Sequence, residues 1–240
     1  MKHFQPQWLL LSGLMISASC TDRNSRVEIT ATQEVNDANT PLHLLQPDYD
    51  NPYGIPSATE VKAVMDRVLN YITDAMPAAV DDSLRLVQGK FRLTSYECGV
   101  TYAAALSAYS TTRDSSYLRF VDDRCQVIAE LAPKVEERIK TNPTFDPQMR
   151  RVVAPSALDD AGAMAAAMIR LQMEGQERQA YEPLIERYVS YIMNKEYRLG
   201  DGTFARNRPH HNTVWLDDMY MAIPALASYG RYKQDLRYTD

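Results

Sequence analysis

The most informative stretch of this chain reads Thr213-Val214-Trp215-Leu216-Asp217-Asp218-Met219-Tyr220-Met221-Ala222-Ile223-Pro224. It sets two adjacent carboxylates, Asp217 and Asp218, at the start of an apolar segment with helical spacing. The loop directly before it carries His210 and His211. The stretch therefore predicts a buried helix whose first turn carries acidic side chains at its N-terminus.

An earlier segment repeats this plan and reads Ala157-Leu158-Asp159-Asp160-Ala161-Gly162-Ala163-Met164. Here too an acidic pair opens a helix, and the residues that follow are small. If the two helix starts are neighbours, the pairs face each other across one cleft, as sugar hydrolysis by paired acids requires. A structural role is the alternative, because aspartates cap helices and suit the positive end of the helix dipole.

Apolar spacing elsewhere predicts an all-α fold of paired helices, with no convincing strand alternation. A capping box at Ser57-Ala58-Thr59-Glu60 opens the first helix, and Pro77 marks its end. Small-residue faces such as Ala161-Gly162-Ala163 suit inner helices that approach closely. We expect a long loop from Asn142 to Pro155. The other predicted helices run from about Tyr96 to Thr111, from Tyr117 to Leu131 before Pro133, from Leu158 to Met173, from Arg178 to Asn194, and from Leu216 to about Tyr229 with Pro224 as a kink or a stop.

The bulk composition is that of an ordinary globular protein with one sizeable core. The chain has 240 residues, a net charge of −5 and no basic cluster. A mildly acidic chain without such a cluster argues against nucleic acid as a partner. The sequence leaves the oligomeric state open.

The first twenty residues are interpreted as a lipoprotein-type signal peptide. Lys2 and His3 precede an apolar core that is too short for a permanent membrane span, and small residues lead to Cys20. We expect lipidation of Cys20, export to the periplasm or outer membrane, and contact with membrane only through that lipid anchor; plain secretion is the alternative. Residues 21–56 are predicted to be a flexible tether, and residues 57–240 to form the folded domain.

Cysteine and metal chemistry are not expected to drive function. Cys98 and Cys125 are interpreted as two buried free thiols, although export would permit a disulfide. Histidines 210 and 211 with the acids at 217 and 218 lack helical metal-ligand spacing, and adjacent histidines point apart. The sequence therefore predicts neither a metal nor an organic cofactor.

Several segments together resemble the unsaturated rhamnogalacturonyl hydrolases and their relatives, glycoside hydrolase families 105 and 88. The similar segments are Tyr96-Glu97-Cys98-Gly99-Val100, Leu158 to Met164, Asp201-Gly202-Thr203, and Trp215 to Met221 with Pro224. The resemblance covers about Ser57 to Asp240. It implies an (α/α)6 toroid of six helical hairpins, with the active site at the N-terminal ends of the inner helices. This chain is expected to be a C-terminally truncated member that contains about the first half of the toroid.

The resemblance also implies roles for individual residues. Asp217 falls at the position of the family's catalytic acid and Asp160 at that of a second active-site aspartate, with Asp159 as the alternative if the alignment slips by one residue. Where some members carry Gly-Phe-Trp-His, this chain reads Gly202-Thr203-Phe204-Ala205-Arg206. The substrate-binding residues implied are Trp215, His211, Arg208, Asp159 and Asp218.

The activity implied is hydrolysis of unsaturated uronyl oligosaccharides made by polysaccharide lyases, as in pectin degradation. A carboxylic acid protonates the 4,5-double bond of the terminal uronic acid, water adds, and the sugar opens and releases its neighbour. Two alternatives stay open: a non-catalytic helical-repeat lipoprotein that binds glycan or protein, and an inactive remnant of the enzyme. The sequence does not choose among unsaturated uronides or leaving sugars.

Overall fold

The computed structural model describes residues 54–176 and 178–238. The predicted signal peptide, Cys20 and nearly all of the predicted tether lie outside these residues. Within them the prediction of an all-α fold is confirmed, since there is no β-strand and only three isolated β-bridges. The α-helices are α1 (Ala58–Ala75), α2 (Tyr96–Thr112), α3 (Ser115–Thr141), α4 (Pro147–Val153), α5 (Leu158–Met173), α6 (Glu182–Asn194) and α7 (Leu216–Lys233).

Local sequence signals explain where several helices begin and end. The predicted capping box of α1 is confirmed: the Ser57 amide donates to Glu60 Oε2 at 2.8 Å, and the Glu60 amide donates to Ser57 Oγ at 3.3 Å. Helix α2 ends at Arg113 in the left-handed region, with φ of 58°. Asp114 then accepts the Ser116 amide and opens α3. This two-residue turn produces the predicted hairpin of α2 and α3.

Two predictions between residues 133 and 155 were wrong. Helix α3 continues through Pro133 to Thr141, because neighbouring side chains such as Leu131 and Val135 are buried in the core and outweigh one missing backbone donor. The predicted long loop contains α4. Asp146 caps that helix by accepting hydrogen bonds from the amides of Gln148 and Met149. The prolines in this segment made the capping residue hard to recognise in the sequence.

Helix α5 is the central element, and it packs between α2 on one side and α7 on the other. Glycines make both contacts close. A Cβ atom on Gly162 would lie 2.2 Å from the carbonyl oxygen of Met221, and one on Gly99 would lie 2.6 Å from Ala163. The prediction that small residues permit close helix approach is confirmed.

The helices form two layers, as in a segment of an α/α toroid. Helices α2, α5 and α7 make the inner layer, while α3 packs on α2 and α6 packs on α5 from outside. The inner helices begin at the same end of the molecule, because their first-turn residues line shared hollows there. No single described helix is long and apolar enough to cross a membrane, although the bent pair of α4 and α5 passes that test by length and composition only.

Both cysteines of the described residues are buried free thiols, as the sequence predicted. Cys98 lies at the start of α2 and donates to the carbonyl oxygen of Arg92 at 2.8 Å. Cys125 lies in the middle of α3, and burial raises its pKa far above the ordinary range. Neither thiol is suited to act as a nucleophile, because burial disfavours the thiolate.

Candidate active site

Three carboxylates meet where α5 and α7 begin. Oxygen atoms of Asp159, Asp217 and Asp218 all lie within 4.8 Å of one another. Asp159 comes from the first turn of α5 and the other two from the first turn of α7. The close contact of these helices at Gly162 brings the groups together, and the helix dipoles favour negative charge at this end.

Arg206 lies among these three acids and contacts each of them. Its Nε and Nη2 atoms donate to the two oxygens of Asp218, both at 2.7 Å. Nη2 also donates to Asp217 Oδ2 at 3.2 Å and lies 3.7 Å from Asp159 Oδ1. The planar guanidinium thus makes a bidentate pair with one carboxylate and reaches toward two more. We call these four residues the Arg206 cluster.

The loop before α7 holds Arg206 in this position. Its amide donates to the carbonyl of Thr213 at 2.8 Å, and the Thr213 amide donates back at 3.2 Å. The turn that precedes it depends on Gly202, whose φ of +92° favours glycine. The guanidinium carbon of Arg206 also lies 4.2 Å from the ring centroid of Trp215, a cation–π contact.

The members of the Arg206 cluster differ in exposure, and the pKa of Asp159 is shifted. Burial, together with repulsion from Asp218, Asp217 and Asp160, raises the pKa of Asp159 above its ordinary value, although Arg206 partly opposes this. Asp217 is the most open, with about half of its side chain exposed. Asp218 is almost fully buried and gives both oxygens to Arg206, so its geometry suits positioning that arginine. The cluster therefore pairs a carboxyl whose pKa is raised, Asp159, with one that reaches solvent, Asp217.

Asp160 is not part of this cluster. Its Oδ2 accepts the amide of Ser156 at 2.9 Å and the Ser156 hydroxyl at 3.1 Å, and its Oδ1 accepts from Arg151 at 3.2 Å. Consecutive residues of a helix point about 100° apart, so only one member of an adjacent pair faces a given neighbour. The structure thus places Asp159, the alternative to Asp160 as the second active-site aspartate, next to Asp217. Asp160 points toward the loop before α5.

The other residues predicted to bind substrate lie around this end of the inner layer. Trp215 precedes α7 and has about 42% of its surface exposed. Arg208 Nη2 contacts the carbonyl of Ser156 at 3.4 Å. His211 is exposed and is not among the residues that line either hollow described below.

Two hollows open beside Asp159. One has a volume of about 360 Å³ and is lined by the starts of α2 and α5, by α4 and by the loop before α2. The other, of about 580 Å³, lies between the start of α5 and the Arg206 loop, and Arg208 and Asp218 line it. Arg151 and Asp159 line both. The hollows are therefore neighbours that meet at Asp159.

Three carboxylates this close resemble a cation site, but Arg206 already supplies the positive charge there. Its bidentate bond occupies both oxygens of Asp218, so a metal ion would have to displace the guanidinium. Proton transfer, in contrast, needs a carboxyl with a raised pKa next to an ionisable partner. The donor set thus favours acid–base chemistry over metal binding.

Arg206 was not predicted from the sequence as a site residue. It was noted only as the last residue of the segment that differs from the family's Gly-Phe-Trp-His. Nothing in the local sequence separates it from Arg198 or Arg208. Arg198 Cζ lies 3.7 Å from the centroid of the Phe204 ring, whereas Arg206 reaches the acids through the backbone pairing with Thr213. Only that pairing distinguishes the three arginines.

The layered inner helices, whose acidic starts converge on polar hollows, are consistent with part of an α/α toroid. Residues 64–240 match the family model described as Glycosyl Hydrolase Family 88, so the chain belongs to this family of glycoside hydrolases. The match covers well over half of the chain and confirms the resemblance seen in the sequence. No curated protein matches the chain.

Proposed function

We propose that this glycoside hydrolase acts on unsaturated uronyl oligosaccharides, the products of polysaccharide lyases, and that the Arg206 cluster is its active site. The observation that supports this most is the raised pKa of Asp159 within reach of the half-exposed Asp217. Protonating an enol ether needs a proton-donating carboxyl, and a raised pKa favours the protonated form of that group. No cofactor is needed for that step.

The proposed reaction uses one proton donor and one water. A proton held in the cluster by Asp159 passes through the more exposed Asp217 to C4 of the substrate. The C4–C5 double bond is consumed, water attacks C5, and a carboxylate of the cluster accepts the proton that water loses. The hemiketal at C5 then opens its ring, and the hemiacetal left at C1 breaks its bond to the neighbouring sugar. The unsaturated residue leaves as an open-chain keto-aldehyde.

The remaining members of the site position these groups. Asp218 holds Arg206 by two hydrogen bonds, and Arg206 limits the repulsion between Asp159 and Asp217. Trp215 packs against Arg206 and keeps part of its ring exposed, as an aromatic platform for a sugar would. Arg208 lines the hollow beside the cluster and suits the carboxylate of the unsaturated uronic acid.

Asp160 is proposed to support the site without transferring protons. Its carboxylate ties the start of α5 to Ser156 and Arg151, which keeps the neighbouring Asp159 in place. The resemblance to the family favours Asp160 as the second catalytic aspartate, whereas the geometry favours Asp159. Substitution of each residue separates these two assignments.

The test is turnover of an unsaturated disaccharide, followed by loss of the double bond's ultraviolet absorbance. We expect Asp217→Asn and Asp159→Asn to lower kcat by about 10²–10⁴-fold, since each removes a proton-transfer group. Asp160→Asn is the matched control, and we expect it to lower stability more than kcat, compared at a temperature where all variants are folded.

Three outcomes would contradict parts of this proposal. An active parent indifferent to both Asp217→Asn and Asp159→Asn would remove the cluster from the mechanism. Loss of turnover in Asp160→Asn with an active Asp159→Asn would restore the assignment made from resemblance. Binding of intact polysaccharide without any turnover would favour the non-catalytic alternative.

A further inference from the structure

The smaller hollow is rich in arginine and has no role in the proton transfer proposed above. Arg92, Arg150 and Arg151 line it, together with Glu97 from the start of α2 and Thr94 from the loop before that helix. We call it the arginine hollow. Its wall on the α5 side is Asp159, the same residue that borders the larger hollow at the cluster. The two hollows thus share Asp159 and Arg151 as lining residues.

Two acids of the arginine hollow are already occupied by protein groups. Asp146 accepts the backbone amides of Leu86, Gln148 and Met149. Asp160 accepts from Ser156 and Arg151, as described above. Asp159 belongs to the Arg206 cluster, and its Oδ1 lies 3.7 Å from the Arg206 guanidinium. These carboxylates therefore offer little free charge to a ligand.

Two of the arginines lack such partners. Within the described residues, the guanidinium of Arg92 makes no hydrogen bond or ion pair, and that of Arg150 reaches only the carbonyl of Pro143 at 3.5 Å. Glu97 also lines the hollow; burial alone would raise its pKa, but a hydrogen bond from Ser95 and further hydrogen bonds bring it below the ordinary value. The groups available to a ligand are thus the two guanidiniums, with the Glu97 carboxylate already hydrogen-bonded to Ser95 and attracted electrostatically to Arg92.

Thr94 gives an independent sign of an incomplete site. It is over nine-tenths buried and lines the hollow, yet its hydroxyl has no hydrogen-bond partner in the described residues. Leaving a buried hydroxyl unpaired is unfavourable, so native proteins rarely leave one without a functional reason. A sugar in the hollow brings hydroxyl groups next to it.

We propose that the arginine hollow binds the leaving sugar and that this sugar is itself a uronic acid. Its carboxylate pairs with Arg92 and Arg150, because a guanidinium matches a carboxylate in two hydrogen bonds. Glu97 accepts hydrogen bonds from the hydroxyls of the same sugar. The unsaturated residue then occupies the larger hollow, with the scissile bond beside Asp159. This inference rests on the proposed function, and it names the substrate as an unsaturated oligouronide.

The experiment compares two disaccharides that share an unsaturated galacturonyl residue, one linked to galacturonic acid and one to rhamnose. We expect a lower KM for the acidic substrate. Arg92→Gln and Arg150→Gln should each raise that KM about tenfold, the effect of one charge-assisted hydrogen bond, and raise the KM for the rhamnose substrate much less. Arg119→Gln, an exposed arginine on α3 outside the hollow, is the matched control.

A binding measurement separates this inference from the proposed function. Galacturonic acid and rhamnose are titrated into Asp217→Asn protein, with and without Arg92→Gln, and followed by NMR. Arg92-dependent binding of galacturonic acid without turnover of either disaccharide would remove the proposed function and keep the subsite. Turnover with equal KM values, or with equal effects of the arginine variants on both substrates, would overturn the subsite alone. Absence of both turnover and binding would overturn both.

Discussion

Asp218 gives both carboxylate oxygens to Arg206 while almost fully buried, so this ion pair determines how the other acids sit. A buried carboxylate is tolerated only when paired and hydrogen-bonded, and a bidentate arginine meets that need. The same guanidinium then has Nη2 left to contact Asp217 and approach Asp159. This structural ion pair thereby places a positive charge beside both Asp217 and Asp159.

The raised pKa of Asp159 predicts that replacing this residue by Asn increases the stability of the protein at neutral pH, while the same replacement is expected to lower its activity. The folded state binds this proton more tightly than the unfolded chain, so stability falls as pH rises from the ordinary value of 3.8 through the raised pKa. Asn cannot ionise and avoids that loss. We expect Asp159→Asn to be more stable than the parent at neutral pH and equally stable below about pH 3.

Urea unfolding at several pH values measures this difference. Asp160→Asn is the control, because it loses charge-assisted hydrogen bonds to Ser156 and Arg151 and should be less stable than the parent at neutral pH. A destabilised Asp159→Asn at neutral pH would show that its contact with Arg206 outweighs burial and repulsion.

At the scale of elements, the contact of α5 and α7 sets the distance between the catalytic candidates. Gly162 lies against the backbone of Met221. Gly99 likewise lies against Ala163, which allows α2 and α5 to approach closely. Glycine in a helix costs about 1 kcal/mol relative to alanine, so its presence here reflects the close approach it permits. Three helix starts can then share one site.

We predict that Gly162→Ala moves α7 away from α5. The new Cβ would lie 2.2 Å from the Met221 carbonyl oxygen, so the backbones must separate. The variant should lose about 1–3 kcal/mol of unfolding free energy, as overpacked cores do, and kcat should fall because Asp217 leaves Asp159. Chemical denaturation and the ultraviolet assay measure these effects.

Gly200→Ala is the matched control, since a Cβ there meets no atom within 4 Å. We expect it to leave stability and kcat near parental values. If Gly162→Ala matched this control in both measurements, the close contact would not be what sets the site geometry.

At the scale of the whole molecule, α1 and α7 keep apolar side chains exposed. On α1, Val64 and Val68 are each about half exposed and border an apolar groove against α2. On α7, Leu216, Tyr220 and Ile223 form a similar stripe. Exposed apolar patches of this kind promote association.

We expect the described fold to self-associate as concentration rises, and we expect Val64→Gln with Val68→Gln to reduce this. Exposed positions change unfolding free energy by about 0.5 kcal/mol or less, so the double variant should fold normally. Sedimentation velocity over a range of concentrations measures the effect. Met193→Gln, a less exposed position on α6, is the control, and equal association of both variants and the parent would contradict the prediction.

The sequence by itself determined most of the helices, the capping box of α1, the small-residue faces and the family, because periodicity, caps and motifs depend on residues close together in the chain. Its two errors, at Pro133 and α4, came where core packing outweighed local signals. Only the tertiary structure decided that Asp159 rather than Asp160 meets Asp217, and that Arg206 joins them. These contacts depend on the rotation of α5 against α7 and on a loop pairing, and a side chain's direction across a helix contact is set by packing.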